Sequence, residues 1–344
     1  MTRIPLASII VVNWNGMGTI QKCLESLLAQ SYPSIEVIVV DNHSEDGSYE
    51  KGVALFKEKI KWIRNSKNEG FARGNNVGIQ ASTGEYILLL NNDAWADRDW
   101  VHHLVSLASL DRQTGMAASR IYLAGEDRVF DNTGHLVYPD GLSWGRGRNE
   151  RDVGQFDREL EVIFPSGCAA LYKKEMLAEI GLFDEMFFAY CEDTDLGFRA
   201  RLYGWKCFYS PKAIVYHHFS GSTSQASRFK AYLVERNRRW VMMKNYPLSL
   251  LMRSPWYTFI RYFWQVYGVL KGKGMASEFV RQYSFGSGIA ILMSSFWGAW
   301  KRSPVMFKER CRIMKNKKMS SKSFGDLLRR YGVSGKKVAL GEKE

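Results

Sequence analysis

The sequence predicts an α/β fold, a mostly parallel, doubly wound sheet flanked by helices. Three observations carry this expectation. Largely apolar runs at Ser8 to Val12, Ile35 to Val40 and Tyr86 to Leu90 have the pattern of strands covered on both faces. Each run stops on polar residues, which are Asn13-Trp14-Asn15-Gly16, Asp41-Asn42 and Asn91-Asn92-Asp93. Between the runs, segments with helical spacing or capping residues make strand and helix alternate through the first hundred residues.

The elements follow in order. Ile20, Cys23, Leu24, Leu27 and Leu28 recur as one face of a helix until Pro33 interrupts. Ser44, Asp46 and Gly47 supply turn and capping chemistry for a second helix, which leads to a short strand at Lys61 to Arg64. The segment Asn68 to Asn76 comes next, then a helix to about Ser82 and the central strand ending at Asn91. Residues 120–160 are rich in Gly, Asp and Arg with little periodicity, and Asp131-Asn132-Thr133-Gly134 lies among them. They read as a long loop or hairpin region over the open end of the sheet. Order returns with a strand at Phe164 to Tyr172, a helix ending near Gly181 and a helix from about Glu192 to Arg201. A strand at Ile214 to His217 and a flexible loop at Ser220 to Thr223 follow.

With 344 residues the chain exceeds one average domain, so a main domain with an appendage is expected. The five Cys are odd in number and show no paired spacing, which suits a reducing compartment. A strand begins almost at the amino terminus, so no signal peptide and a cytoplasmic location are expected. Net charge is +13, and from Lys301 onward fourteen Lys and Arg stand against four Asp and Glu. A tail of that kind binds nucleic acid or an anionic membrane surface.

The polar triplet Asn91-Asn92-Asp93 ends its strand where open α/β sheets hold ligands. A carboxylate beside two amides can ligate a hard divalent cation and leave coordination positions for phosphate oxygens, although Asn and Asp are also ordinary turn formers. Asp41 ends the second strand where nicotinamide dehydrogenases place a ribose-binding acid. The glycine fingerprint of those enzymes fails, because Gly16 and Gly18 are followed by Gln21 at the third position. Glu192, Asp193 and Asp195 fall in the first turn of a helix. There they either cap it through the dipole or present one carboxylate as a general base. His217 and His218 end a strand, and an imidazole together with Asp93 would suit manganese or a similar ion.

Taken in order, these motifs resemble family-2 inverting glycosyltransferases of the GT-A fold, in the rhamnosyltransferase-like branch of bacterial surface polysaccharide assembly (O-antigen, lipopolysaccharide or capsule). The resemblance covers about residues 6–247. It rests on the segments already quoted, on Gly181-Leu182-Phe183-Asp184-Glu185 and on Arg236-Asn237. It implies that Asn13, Asn15 and Asp41 hold base and ribose, and that the segment bearing Asn68, Gly70, Arg73 and Asn76 closes over the nucleotide. Asn92 would also touch the donor. Asp93 would bind Mg or Mn, with Asn91 in place of the first acid of the Asp-x-Asp motif. His217 would be a further ligand, or His218 in the other register. Asp193 would be the catalytic base, with Glu192 beside it, and Arg236 would contact the diphosphate or shape the acceptor side. The implied partners are a nucleotide-sugar donor and a glycan acceptor on a polyprenyl diphosphate lipid.

Beyond Pro247 the composition changes. Residues 256–267 are dense in aromatics with basic flanks, and residues 284–300 are uncharged but short and interrupted by Gly286, Gly288 and Gly298. Aromatics beside cations fit helices lying on or dipping into the cytoplasmic leaflet, and a helical surface for a homo-oligomer is the alternative. Nucleic acid is not an expected partner, because no motif for it accompanies the charge. The expected organisation is a catalytic domain over 1–225 (donor half 1–110, acceptor half 111–225), a connecting helix over 226–247 and a membrane-associating region over 248–344. A nucleotide-sugar hydrolase and a non-catalytic membrane scaffold are the competing functions.

Overall fold

The computed structural model describes residues 3–218 and 227–341, so the loop expected at Ser220 to Thr223 lies outside the described residues. The chain divides into two compact units. One comprises Met1–His135, Gly145–Ala189 and Trp205–Ser222, and the other Leu136–Trp144, Tyr190–Gly204 and Thr223–Glu344.

The first unit opens with β1 (Ala7–Asn13), α1 (Ile20–Leu28), β2 (Ile35–Asp41), α2 (Ser48–Phe56), β3 (Lys61–Arg64), α3 (Gly70–Ala81) and β4 (Tyr86–Leu90). These four strands are parallel, with β1 between β2 and β4. After β4 come β5 (Ala94–Ala96), α4 (Trp100–Leu110), β6 (Thr114–Leu123) and β7 (Phe130–Asn132). Then β8 (His135–Val137) pairs with β9 (Ser143–Gly145), and β10 (Leu160–Val162), β11 (Ala169–Lys173) and α5 (Lys174–Ile180) follow. The helix α6 (Glu192–Leu202) belongs to the second unit, and β12 (Lys206–His217) completes the first. The main sheet runs β3-β2-β1-β4-β11-β6-β12-β10, and β11 is antiparallel to both neighbours.

The mostly parallel, helix-flanked sheet is the one expected. Its central strands are covered on both faces: Ile9, Ile10, Val11, Leu88, Leu89 and Leu90 are all buried. Each such side chain contributes about 1.5–3 kcal/mol relative to remaining exposed. Trp100 of α4 lies in the same core and donates its indole N–H to Ser119 Oγ at 2.9 Å.

One expectation is corrected. The helix that follows Asn68 begins at Gly70, so Gly70, Arg73 and Asn76 stand on a helix and not on a loop before one. Asn68 Oδ1 accepts the Gly70 N–H at 2.9 Å, and Gly70 has φ +80°, which turns the chain into α3. A Cβ there would lie 2.5 Å from the Phe188 carbonyl oxygen. Residues 120–160 take the hairpin form of the two expected, since β8 pairs with β9 and β7 with β6 within them.

The second unit adds α7 (Arg228–Asn245), α8 (Leu248–Lys271), α9 (Gly274–Gln282), α10 (Phe285–Lys301), α11 (Ser303–Asn316), α12 (Ser321–Arg330) and α13 (Gly335–Leu340). Its packing centres on α7. Trp240 donates to the Ala299 carbonyl of α10 at 3.1 Å, and Arg310 of α11 donates to the Met243 carbonyl at 3.2 Å. Charge is buried here in balanced groups. Arg261 Nε lies 2.6 Å from Asp140 Oδ2, and Arg238 Nε and Arg261 Nη2 each lie 2.8 Å from Glu235. Burial alone would push the Glu235 carboxyl up, but Arg238, Arg261 and Arg239 hold it far below the usual carboxylate range.

No described helix is long and apolar enough to cross a membrane. Instead two helices leave apolar stripes uncovered. On α8 these are Leu248, Met252, Trp256, Phe259, Phe263 and Leu270; on α10 they are Phe285, Ile289, Met293, Phe296 and Trp300. Spacings of mostly three and four residues put each set on one helix face.

Candidate functional site

The carboxyl ends of β1, β2 and β4 carry the polar residues singled out in the sequence. Asn13 is fully buried, and its Nδ2 donates toward Asp41 Oδ1 (2.9 Å), Ser48 Oγ (3.0 Å) and Ser44 Oγ (3.1 Å). Its Oδ1 accepts from Asn92 Nδ2 at 3.0 Å. Asp41 is also fully buried, accepting further bonds from the Ser44 hydroxyl (2.6 Å) and backbone N–H (3.0 Å). These two residues therefore knit together the loops after β1, β2 and β4. Asn15, at φ +51°, accepts the Glu45 N–H at 2.9 Å and borders an open cleft. Gly16 is required by close approach, because a Cβ would lie 2.4 Å from Asn13 Oδ1 and 2.5 Å from Asn92 Nδ2.

That cleft, about 350 Å³, is lined by Asn15, Gly16, Thr19, Lys22, Asn92, Asp93, Trp95 and His218 among others. Its size suits a small ligand. Lys22 places its ammonium 3.3 Å from the centre of the Trp95 ring, a cation held over an aromatic face. Sequence reasoning did not single out either residue.

Asp93 and His217 meet at the ends of β4 and β12. His217 Nε2 lies 3.3 Å from Asp93 Oδ1, and His217 Nδ1 lies 2.8 Å from Asp131 Oδ2. All three side chains are nearly excluded from solvent. Burial opposes a charge on this imidazole, but Cys168, Asp131 and Asp93 outweigh it and raise its pKa well above the usual value. His218 donates its backbone N–H to the Asp93 carbonyl at 2.8 Å, a bond that continues the pairing of β5 with β12. Of the doubled His, the first thus packs on the Asp93 carboxylate and the second lines the cleft. The Asn91 backbone bonds to Cys168 and Ala94 at 2.9 and 3.1 Å, fixing the turn that carries Asp93.

The remaining donor-side residues engage the protein itself. Asn76 of α3 donates to the Phe183 carbonyl (2.9 Å) and Glu185 Oε1 (3.0 Å), and its Oδ1 accepts the Phe183 N–H at 3.1 Å. Arg73 lies 3.6 Å from both Glu69 and Glu185 and is half exposed.

In the second unit, Tyr190 and Cys191 hold φ of +68° and +66°, and α6 starts immediately after them. Non-glycine residues in this region are strained and need support. Asn237 of α7 gives it, donating to the Tyr190 carbonyl at 2.7 Å, while Arg236 Nε donates to Asn237 Oδ1 at 2.9 Å. The three acids that follow have separate environments. Asp195 is fully buried against Lys244 (2.9 Å), Arg199 (3.0 Å) and Asn245 (2.8 Å). Asp193 is partly exposed, and its Oδ1 accepts the Thr194 N–H at 2.6 Å. Glu192 is buried with no hydrogen-bond partner for Oε2 among the described residues. Burial, then the neighbouring charges of Asp193 and Asp195, pushes its pKa well above the usual value.

A family model described as glycosyl transferase family 2 matches residues 8–181, just over half of the chain. The chain belongs to glycosyl transferase family 2. An uncharacterized glycosyltransferase of Rickettsia typhi is 30% identical to it over 200 residues, covering 58% of this chain and 59% of the relative. The match thus spans less than two thirds of that relative's length. The N-acetylglucosaminyl-diphospho-decaprenol L-rhamnosyltransferase of Mycobacterium tuberculosis is 28% identical over 270 residues, covering 67% of this chain and 85% of that one. Among solved structures, GalNAc-T7 with UDP, GalNAc and Mn2+ superposes with a TM-score of 0.57 at 18% identity, covering 71% of this chain and 48% of that one. The mannosyltransferase PcManGT of Pyrobaculum calidifontis, in complex with GDP-Man and Mn2+, gives 0.50 at 15% identity over 94% of this chain and 88% of that one. These two likenesses are of fold, and they establish the expected GT-A architecture for this family-2 chain.

Both of those structures contain Mn2+. Asp93 Oδ1 and His217 Nε2 form a hard oxygen and imidazole nitrogen pair 3.3 Å apart, a donor set that accepts Mn or Mg. No group of three or more His, Cys, Asp and Glu able to hold a metal occurs among the described residues. The pair therefore fits a cation that draws its other ligands from amide, phosphate and water oxygens.

Proposed function

We propose that this family-2 glycosyltransferase moves a sugar from a nucleotide-diphosphate donor, dTDP-rhamnose or a UDP-hexose, to a lipid-linked glycan of bacterial cell-surface polysaccharide, inverting the anomeric centre. The observation that carries the reading is the buried Asp93–His217 pair beside an open cleft. The names of the relatives support it. One is a rhamnosyltransferase acting on a diphospho-decaprenol lipid, and the two structural neighbours contain Mn2+ with UDP or GDP-Man.

The roles divide as follows. Asn15, Asn92 and Asp93 border the cleft and meet the donor, while Asn13 and Asp41 hold the three loops that shape its floor. Asn68, Gly70, Arg73 and Asn76 position α3 and the segment at 183–185 beside the nucleotide. Asp93, Asn91 and His217 hold Mg or Mn, with His218 at the cleft wall. When bound, such a cation offsets the negative charge that develops on the departing diphosphate. Asp193 is the base that takes the proton of the acceptor hydroxyl as its oxygen attacks the sugar carbon. Glu192 stands beside it, its pKa raised well above the usual value by burial and by the charges of Asp193 and Asp195. Arg236 holds Asn237 against the turn that carries both acids.

The functional division follows the chain: residues 1–225 act on donor and acceptor, 226–247 connect, and 248–344 lie on the inner face of the cell membrane. The exposed stripes of α8 and α10 enter the lipid interface, and the basic carboxyl-terminal stretch attracts anionic headgroups. A donor screen by thermal shift with Mn2+ or Mg2+ tests the reading, because a ligand of the folded state raises its melting temperature. A metal-dependent rise with one sugar nucleotide, absent in Asp93→Ala, is expected. No rise with any dTDP, UDP or GDP sugar would count against a donor site in this cleft.

A further inference from the structure

We propose that Asp131 is a positioning residue that fixes the tautomer and orientation of His217 so that its Nε2 faces the cation held with Asp93. The inference rests on the metal reading above and goes beyond it by assigning a residue that the motifs do not mark.

The local backbone is built for this role. Across the β6–β7 pairing, Ile121 stands opposite Asn132 and Tyr122 opposite Phe130, which leaves Asp131 as the extra residue of a bulge. A bulge re-aims the side chain of its extra residue. The neighbouring chain comes in unusually close, since a Cβ on Gly145 would lie 2.6 Å from the Asp131 carbonyl oxygen. The side chain thereby reaches His217 at 2.8 Å, with both residues buried.

The chemistry follows from what each atom can do. Asp131 Oδ2 and His217 Nδ1 lie 2.8 Å apart and share one hydrogen bond. An ionised carboxylate only accepts, so Nδ1 of His217 carries the bonded proton. In the neutral imidazole the lone pair then sits on Nε2, the atom 3.3 Å from Asp93 Oδ1. That nitrogen and the Asp93 carboxylate oxygen would together suit a cation that takes the place of the second imidazole proton. A carboxylate behind a ligating imidazole also raises its basicity and holds its ring, and loss of such a partner typically weakens metal binding about 10–100-fold.

The test measures Mn2+ binding to the purified full chain, alone and with saturating dTDP or UDP, by the loss of the free Mn2+ paramagnetic resonance signal. Asp131→Asn keeps the shape and removes the charge, Asp131→Ala removes both, and His217→Ala reports the loss of the ligand itself. Nitrogen-15 imidazole spectra of the metal-free proteins, taken above the imidazole titration, give the tautomer, and circular dichroism melting shows whether each variant folds. Both Asp131 variants should bind Mn2+ about 10–100-fold more weakly than wild type while folded, and Asp131→Ala should lose the Nδ1–H tautomer. If Asp131→Asn and Asp131→Ala fold and bind Mn2+ like wild type while His217→Ala does not, the positioning role is wrong and the metal site stands. If wild type binds no Mn2+ under either condition, the metal reading falls and this inference falls with it.

Discussion

Replacing Asp195 with Ala tests its role as the structural acid of the 192–195 cluster, apart from the acids proposed for chemistry. Asp195 is fully buried, and two cations rest on it: Lys244 Nζ at 2.9 Å and Arg199 Nε at 3.0 Å, their side chains each only 2% exposed. Asn245 Nδ2 adds a third bond at 2.8 Å. Removing the carboxylate leaves both cations buried without their shared counter-charge, and breaking a buried pair in this way costs about 3–5 kcal/mol. For a unit of this size that is a fall of about 10 °C in melting temperature. The pH dependence has a definite sign. Burial alone would raise the Asp195 pKa, but Lys244 and Arg199 lower it below the ordinary carboxylate value. The stability it contributes is therefore present above the unfolded-state pKa of about 3.9 and is lost as pH falls through the lower folded-state value. Urea unfolding of wild type and Asp195→Ala at neutral and acid pH measures the effect. A difference below about 1 kcal/mol at pH 7, outside the range for a broken buried pair, would refute the reasoning, as would one that grows on acidification.

Four further outcomes follow. Gly16→Ala forces a Cβ into the Asn13–Asn92 bond, so overpacking of about 1–3 kcal/mol and weaker donor binding are expected, read by melting and titration calorimetry. Glu192 has a raised folded-state pKa, so its contribution is present below the unfolded value and lost as pH rises through the folded one. Glu192→Gln should remove that loss and flatten the stability profile on the alkaline side, as urea unfolding across pH would show. Phe263→Glu combined with Trp297→Glu, both on exposed faces, should abolish co-sedimentation with anionic vesicles while leaving melting unchanged. Asp193→Asn should lower kcat about 10²–10⁴-fold with donor KM little altered, in steady-state kinetics.

Much of the fold was legible because its signals are local. The strand at Lys61 to Arg64 and the helix from Glu192 follow from strand–helix alternation and an acidic first turn, and both stand where the sequence put them. The site was legible only in part. Asp93 and His217 each end an apolar strand, a pattern visible in one dimension. Asp131 reads as part of an ordinary Asp-Asn-Thr-Gly turn, and its partner lies 86 residues away. Asn76 sits in a segment that resembles a nucleotide contact, yet its side chain bonds to Phe183, 107 residues on. Pairings set by sheet order leave no local trace, so only the assembled sheet shows which polar residues meet.

The most direct measurement incubates the purified chain with dTDP-rhamnose or a UDP-hexose, a polyprenyl-diphosphate N-acetylglucosamine acceptor and Mn2+ or Mg2+, and identifies the products by mass spectrometry and proton resonance. The account predicts one sugar added to the lipid-linked acceptor with inverted anomeric configuration, and no addition in Asp93→Ala or Asp193→Asn. Release of free sugar at the same rate with and without acceptor, or transfer that persists in Asp193→Asn, would contradict it.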